Sequence, residues 1–183
     1  MDFFTACLIA LSVILIAYIG LRRHVCPPVE CKKQCPCPSG GGFPAQNLIY
    51  LALSGSIDNA GLIVKRFNAW WWNALSQGGM PSAAIKADPA YVASTKFILD
   101  EGSYSLSTPP NEQTVAYLAL IVQDLLALSH IVGGGAISAG AKKVLAGNAE
   151  LAEDFTSFGM MFPAATQELV NLQTPLSVYL SSS

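Results

Sequence analysis

Apolar residues fill the chain from Phe3 to Leu21, FFTACLIALSVILIAYIGL, with only Thr5, Cys7, Ser12 and Tyr18 relieving the aliphatic run and no charge anywhere in it. As a helix rising about 1.5 Å per residue this stretch is about 28 Å long, close to the roughly 30 Å hydrocarbon thickness of a bilayer. It predicts one membrane-spanning anchor in residues 1–21. A cleaved signal peptide is the rival, but that needs a basic start, a shorter apolar core and a small-x-small cleavage site. Here the chain begins Met1-Asp2, and Ala17-Tyr18-Ile19-Gly20 is a poor cleavage site.

From Phe43 onward apolar positions recur at helical spacing, and no stretch alternates with period two. Residues 43–183 are therefore expected to form a compact all-α domain of about six helices. A short apolar segment over 45–54 is expected to break at Gly55, and Ser56 to cap a helix reaching about Ser76, before Gly78-Gly79. The core side of that helix is Ile57, Ala60, Val64, Phe67, Trp71 and Ala74, flanked by Ile63 and Trp70. Three adjacent tryptophans span about 200° of a helix, so they cannot all enter one core. Trp72, four residues after Asn68 and seven after Lys65, falls on the polar side. It is the expected interaction residue, facing a partner or a headgroup layer; the alternative is that it covers a neighbouring loop of its own domain.

Asp88-Pro89 pairs a capping residue with proline at the first helical position and opens a helix to about Asp100, with Tyr91, Val92, Thr95, Ile98 and Leu99 as its buried stripe. Thr108-Pro109 repeats the device ahead of the longest apolar run of the domain. Within it, Val115 to Val132 could be a second span, but that would place Asp124 near mid-membrane at about 3 kcal/mol. Read as a core helix, it has one small or polar stripe of Glu112, Ala116, Ala119, Gln123, Ala127 and His130. Val115, Leu118, Val122, Leu125 and Val132 form the other. The core helix is the expectation. Further helices are expected from Ala136 to Ala146, from the cap Asn148 to about Gly159, and from Pro163 to Pro175, with no clear structure in the tail from Leu176.

Between anchor and domain, residues 22–42 read RRHVCPPVECKKQCPCPSGGG, a linker in which prolines forbid a continuing helix and glycines end it flexibly. Cys26, Cys31, Cys35 and Cys37 are candidates for disulfides or lipidation. Disulfides require an oxidising side, whereas a thiol beside basic residues at a bilayer is an acceptor for palmitate. Zinc would favour two separated C-x2–4-C arms, which the Cys35-Pro36-Cys37 step fits badly. Cys7, inside the span, packs as a small apolar residue.

Charge sets the expected sidedness and class of partner. Arg22, Arg23, Lys32 and Lys33 all follow the span, which puts the domain on the cytosolic side. Residues 43–183 hold six basic and ten acidic side chains, so no basic face exists to take up phosphates, and nucleic acid is not expected as a partner. Charged residues make up only 12% of the chain, against about 25% in an ordinary soluble protein. Such a surface is expected to be covered by lipid or by other subunits.

Catalytic patterns are near misses. Ala136-Ile137-Ser138-Ala139-Gly140 approaches a nucleophile elbow, yet an elbow needs a strand before the serine and a sheet behind it. Gly135-x4-Gly140-Ala141-Lys142 is one residue out of register with a phosphate loop and lacks the following Ser or Thr. No metal-ligand spacing and no cofactor motif is seen, and His24 and His130 stand without catalytic neighbours in sequence. The expected role is that of a non-enzymatic, membrane-anchored structural or assembly component, an organelle complex subunit or a viral membrane-associated minor capsid protein. A multi-span channel or transporter subunit and a membrane-bound hydrolase using Ser138 are the competing expectations.

Overall fold

Six helices follow one another in the computed structural model, which describes residues 45–182: α1 (Ala45–Gln77), α2 (Ser82–Ala87), α3 (Pro89–Ser103), α4 (Glu112–Gly133), α5 (Ala139–Ala146) and α6 (Ala149–Ser181). The protein is all-α, and among the described residues there is no strand. The expected anchor and the linker with Cys26, Cys31, Cys35 and Cys37 lie outside the described residues.

The four long helices pack in the cyclic order α1, α3, α4, α6. Side-chain pairs fix the directions. Lys65 meets Glu101 and Asn68 meets Ser94 between α1 and α3, while Tyr117 reaches the Glu101 carbonyl and Asp124 reaches Lys96 between α3 and α4. Val132 lies over Gly159 between α4 and α6, and Ser56 and Trp70 reach Glu168 and Asp154 between α1 and α6. Every neighbouring pair is antiparallel, so the domain is an up-down-up-down four-helix bundle, the topology that short connections favour. α2 and α5 are the connectors at one end; the 104–111 loop closes the other.

The core stripe of α1 is as its spacing predicts: Ile57, Ala60, Val64, Phe67, Trp71 and Ala74 are buried, and Ile63 and Trp70 are half-buried beside them. Phe67 meets Phe162 and Phe158 of α6 edge-on at 5.2 and 5.3 Å. Each such pair adds about 0.5–1.5 kcal/mol to the area it buries. In α4, Leu118, Val122, Leu125 and Val132 are buried, and Glu112, Ala116, Ala119, Gln123, Ala127 and His130 are exposed. This is the two-stripe pattern of a core helix.

Several expectations are corrected. α1 does not break at Gly55. It runs through it, because a lone glycine costs a helix only about 1 kcal/mol and Leu53 and Ile57 on either side are buried in the bundle. Ser56 is therefore no cap; its hydroxyl donates to Glu168 Oε1 at 2.6 Å. α2 is an additional helix that the spacing does not predict. α3 buries Ala90, Ser94 and Phe97, while Val92 and Leu99 stand 51% and 67% exposed. The reason is polar: Asn68 of α1 donates to Ser94 and Thr95 hydroxyls at 2.7 and 3.1 Å, turning that face of α3 inward. α4 starts from Asn111, not Thr108-Pro109, through a capping box in which Asn111 and Thr114 satisfy each other's backbone N–H. α5 begins at Ala139, not Ala136. α6 passes through Gly159, Pro163 and Pro175 without a break and includes the tail, where Leu176 is buried. Pro163 and Pro175 both lie on its exposed side, where water can take up the carbonyls they leave free.

Candidate interaction surface

The three tryptophans of α1 take three different places. Trp71 is fully buried, and its indole N–H donates to Asp88 Oδ1 at 2.9 Å. Trp70 is half-buried over Phe155 and Phe158 and donates to Asp154 Oδ2 at 3.2 Å. Trp72 is half-buried with its ring 5.3 Å from that of Tyr91 in α3. Its own domain thus supplies a neighbour for the indole, from a helix rather than a loop.

Asp88, fully buried, is the N-cap of α3. It accepts from Ala90 N at 3.0 Å and from Trp71 on Oδ1, and from the backbone N–H of Ser138 at 3.1 Å on Oδ2. One carboxylate thereby ties α1, α3 and the start of α5 together. The sequence marks Asp88 as a cap, but its two distant donors, at Trp71 and Ser138, carry no local signal.

A second cluster joins α3 to α4. Lys96 is paired with Asp100 at 2.6 Å and with Asp124. The hydrogen bond from Lys96 holds the Asp100 carboxyl below the usual carboxylate range, and the bonds to Asp100 and Asp124 hold the Lys96 ammonium above its ordinary value. Asp124 is 6% exposed, and its Oδ2 has no hydrogen-bond partner among the described residues.

Ser138 is a helix cap: its hydroxyl accepts from Ala141 N at 3.2 Å at the start of α5. His130 lies on the exposed face of α4, and no hydrogen bond joins it to Ser138 among the described residues. Gly140 sits inside α5 with Met80 packed over it, which makes it a packing residue and not part of a phosphate loop. A cavity of about 500 Å³ lies beside it between α1, α5 and the start of α6, lined by Gln77, Met80, Lys143 and Leu151 among others. Among the described residues no group of three or more His, Cys, Asp or Glu side chains could hold a metal ion.

Large apolar side chains stand open on all four long helices: Leu48 and Leu51 on α1, Val92 and Leu99 on α3, Leu126 on α4, and Met160 on α6. Within the described residues two segments, Asn47–Gln77 and Glu112–Gly133, are long and apolar enough to cross a membrane by length and composition. Comparison with protein-family models, curated proteins and solved structures finds no match to this chain.

Proposed function

We propose that the protein is a membrane-anchored structural or assembly component. Residues 1–21 fix the chain to a bilayer from the cytosolic side, and the helical bundle is covered by other subunits of a larger complex, in an organelle or beneath a viral capsid. The observation that carries this reading is the surface of the bundle. Leu48, Leu51, Leu99, Met160 and Val178 are each more than half exposed, on a chain with about half the usual share of charge. Together with the low share of charge, these side chains support a surface that a partner or lipid covers. Trp72, half-buried with its ring tilted against Tyr91, is the aromatic anchor proposed for such a contact.

A second reading, a channel or transporter subunit with several spans, is favoured by one observation: α4 and most of α1 satisfy the length and composition of a span. Against it, the inward face of α4 holds Asp124 in an ion pair with Lys96, an arrangement that suits a bundle interior in contact with water at its rim.

Membrane flotation after carbonate extraction separates the two. Loss of residues 1–21 should release the protein from vesicles entirely. A truncated chain that still floats and resists carbonate would overturn the single anchor and make α4 a span.

A further inference from the structure

α1 and α6 outrun α3 at the end of the bundle where the described chain begins. Glu101, near the end of α3, lies against Gly61 and Lys65 of α1, whereas the hydrogen bond from Ser56 ties α1 to Glu168 of α6 nearer that end. Beyond this bond, residues 45–55 of α1 and 169–181 of α6 continue side by side for about 16–20 Å. Leu51, Ala52 and Gly55 face Asn171 and Leu172 across an open groove of about 440 Å³, and nothing lies within 4 Å of the point where a side chain at Gly55 would start. Helical spacing continues the two walls to Leu48 on α1 and to Pro175 and Val178 on α6. Leu48, Leu51 and Val178 are each more than half exposed, and Pro175 is exposed too.

Charge is absent from these segments. Residues 45–57, 102–111 and 169–182 hold no Asp, Glu, Lys or Arg. Segments of that combined length would carry about nine charges in an ordinary soluble protein, and about four at the 12% of this chain. The opposite end, by contrast, exposes Lys86, Lys142, Lys143, Glu150, Glu153 and Asp154. Leu48, Leu51 and Val178 therefore stand among amide and hydroxyl groups alone. Such a surface can be brought against headgroups and the upper acyl chains without stripping water from an ion.

The chain also enters the bundle at this end. Only residues 22–44 separate Ala45 from the uncharged stretch expected as the anchor, and a flexible segment of that length spans roughly 25–30 Å. A bilayer that takes the anchor is thereby kept within reach of the first turns of α1, at an effective concentration no free partner matches. Tyr50 and Tyr179, half-buried in these turns, are of the type favoured at a membrane–water interface.

We infer that the outer turns of α1 and α6 form a lipid-docking end, which beds Leu48, Leu51, Pro175 and Val178 in the interfacial layer of the bilayer that holds the anchor. The inference rests on the anchored reading and adds which end of the bundle meets lipid; Trp72, toward the other end of α1, is left for protein partners.

The test is photocross-linking of the full chain reconstituted in phosphatidylcholine vesicles, with p-benzoylphenylalanine at one position at a time. Phospholipid adducts are expected from positions 51 and 178, and should exceed those from position 92, where Val92 is a comparably exposed apolar residue near the start of α3, at least about five-fold. Leu48→Glu together with Leu51→Glu should cut the adduct from position 178 by a similar factor with an unchanged circular-dichroism spectrum, because two carboxylates would then have to be desolvated. Mere nearness to the vesicle would leave that adduct as it was. Equal adducts from positions 178 and 92, an adduct at 178 that survives the two glutamates, or cross-links to a second copy in place of lipid would overturn the inference and leave the anchor standing. Failure of the anchor has a different sign: the full chain would leave the vesicles in carbonate, and the lipid-docking end would fall with it.

Discussion

The indole N–H of Trp71 donates to Oδ1 of Asp88 at 2.9 Å, and both side chains are fully buried. Asp88 also accepts from Ala90 N and Ser138 N, so three donors from three segments converge on one carboxylate. Removing it strands all three.

Asp88→Ala should therefore cost on the order of 3 kcal/mol or more, since each buried donor left unpaired costs about 1–3 kcal/mol. Asp88→Asn keeps the shape and one acceptor, and should lose roughly half as much. Urea unfolding of the two variants measures it. Equal losses would mean that the negative charge matters, not the number of acceptors.

The neighbouring tryptophans should separate by depth. Trp71→Ser removes a fully buried ring and takes one of the two donors from Asp88 Oδ1, at a cost of about 3–5 kcal/mol. Trp72→Ser gives up a half-buried contact with Tyr91, about 1 kcal/mol, somewhat more than a fully exposed position would lose. The proposed anchor role predicts that Trp72→Ser weakens recovery with the native complex far more than this loss of stability explains. Thermal melts beside co-purification decide it; recovery that falls only in step with the melting temperature would leave Trp72 a packing residue.

Helical periodicity makes the core stripes of α1 and α4 legible in the sequence, because a stripe of large apolar residues has no other place to go. The register of Trp71 inward and Trp70 beside it follows from the same spacing. What the sequence hides is non-local. The inward face of α3 is set by Asn68, twenty-six residues from Ser94 in the chain, so counting apolar residues picks Val92 and Leu99 wrongly. Gly55, Gly159, Pro163 and Pro175 read as breaks because local propensity takes no account of the packing that overrides it: Leu53, Ile57, Phe162, Leu169 and Leu176 keep α1 and α6 helical through them. At the candidate surface, the exposed stripe of α4 is visible as small and polar positions, whereas the cluster of Lys96, Asp100 and Asp124 needs the α3–α4 pairing to exist.

Lys96 links pH to stability. Its pKa is raised in the folded state by the bonds to Asp100 and Asp124, so its contribution is fully present below the unfolded value of about 10.4 and lost as pH climbs through the folded one. Asp100 works in the opposite sense. Its pKa is lowered by Lys96, so its contribution is present above about 3.9 and disappears as pH falls through the lower folded value. Lys96→Met should abolish both effects and leave Asp124 buried without its partner. The loss should be about 1–2 kcal/mol near pH 7, below the full cost of stranding a buried charge because the ammonium itself is open to solvent screening. Urea titrations at pH 3, 7 and 11 test this: the gap between wild type and variant should be widest at pH 7. A gap that is the same at all three would show that the lysine acts through packing of its methylenes alone.

Pro163 stands in the interior of α6, on its exposed side. Proline there lacks the N–H that would bond to the Gly159 carbonyl, and its ring crowds that carbonyl. The helix tolerates it because residue 159 is a glycine and because Phe158 and Phe162 hold the turns on either side of it against Phe67 of α1, while the buried Thr166 hydroxyl bonds back within the helix to the Phe162 carbonyl at 2.8 Å. Pro163→Ala restores the bond and a good helix former. Proline costs a helix interior about 3 kcal/mol relative to alanine, and stiffening of the unfolded chain offsets about 1 kcal/mol of that, so the variant should be more stable by about 1–2 kcal/mol. That corresponds to a rise in melting temperature of several degrees for a domain of this size. Because the ring faces solvent, no core contact is lost with it. A lower melting temperature for Pro163→Ala would mean that α6 needs a bend at this turn to lie along both α1 and α4, and that the proline sets the packing angle of the bundle.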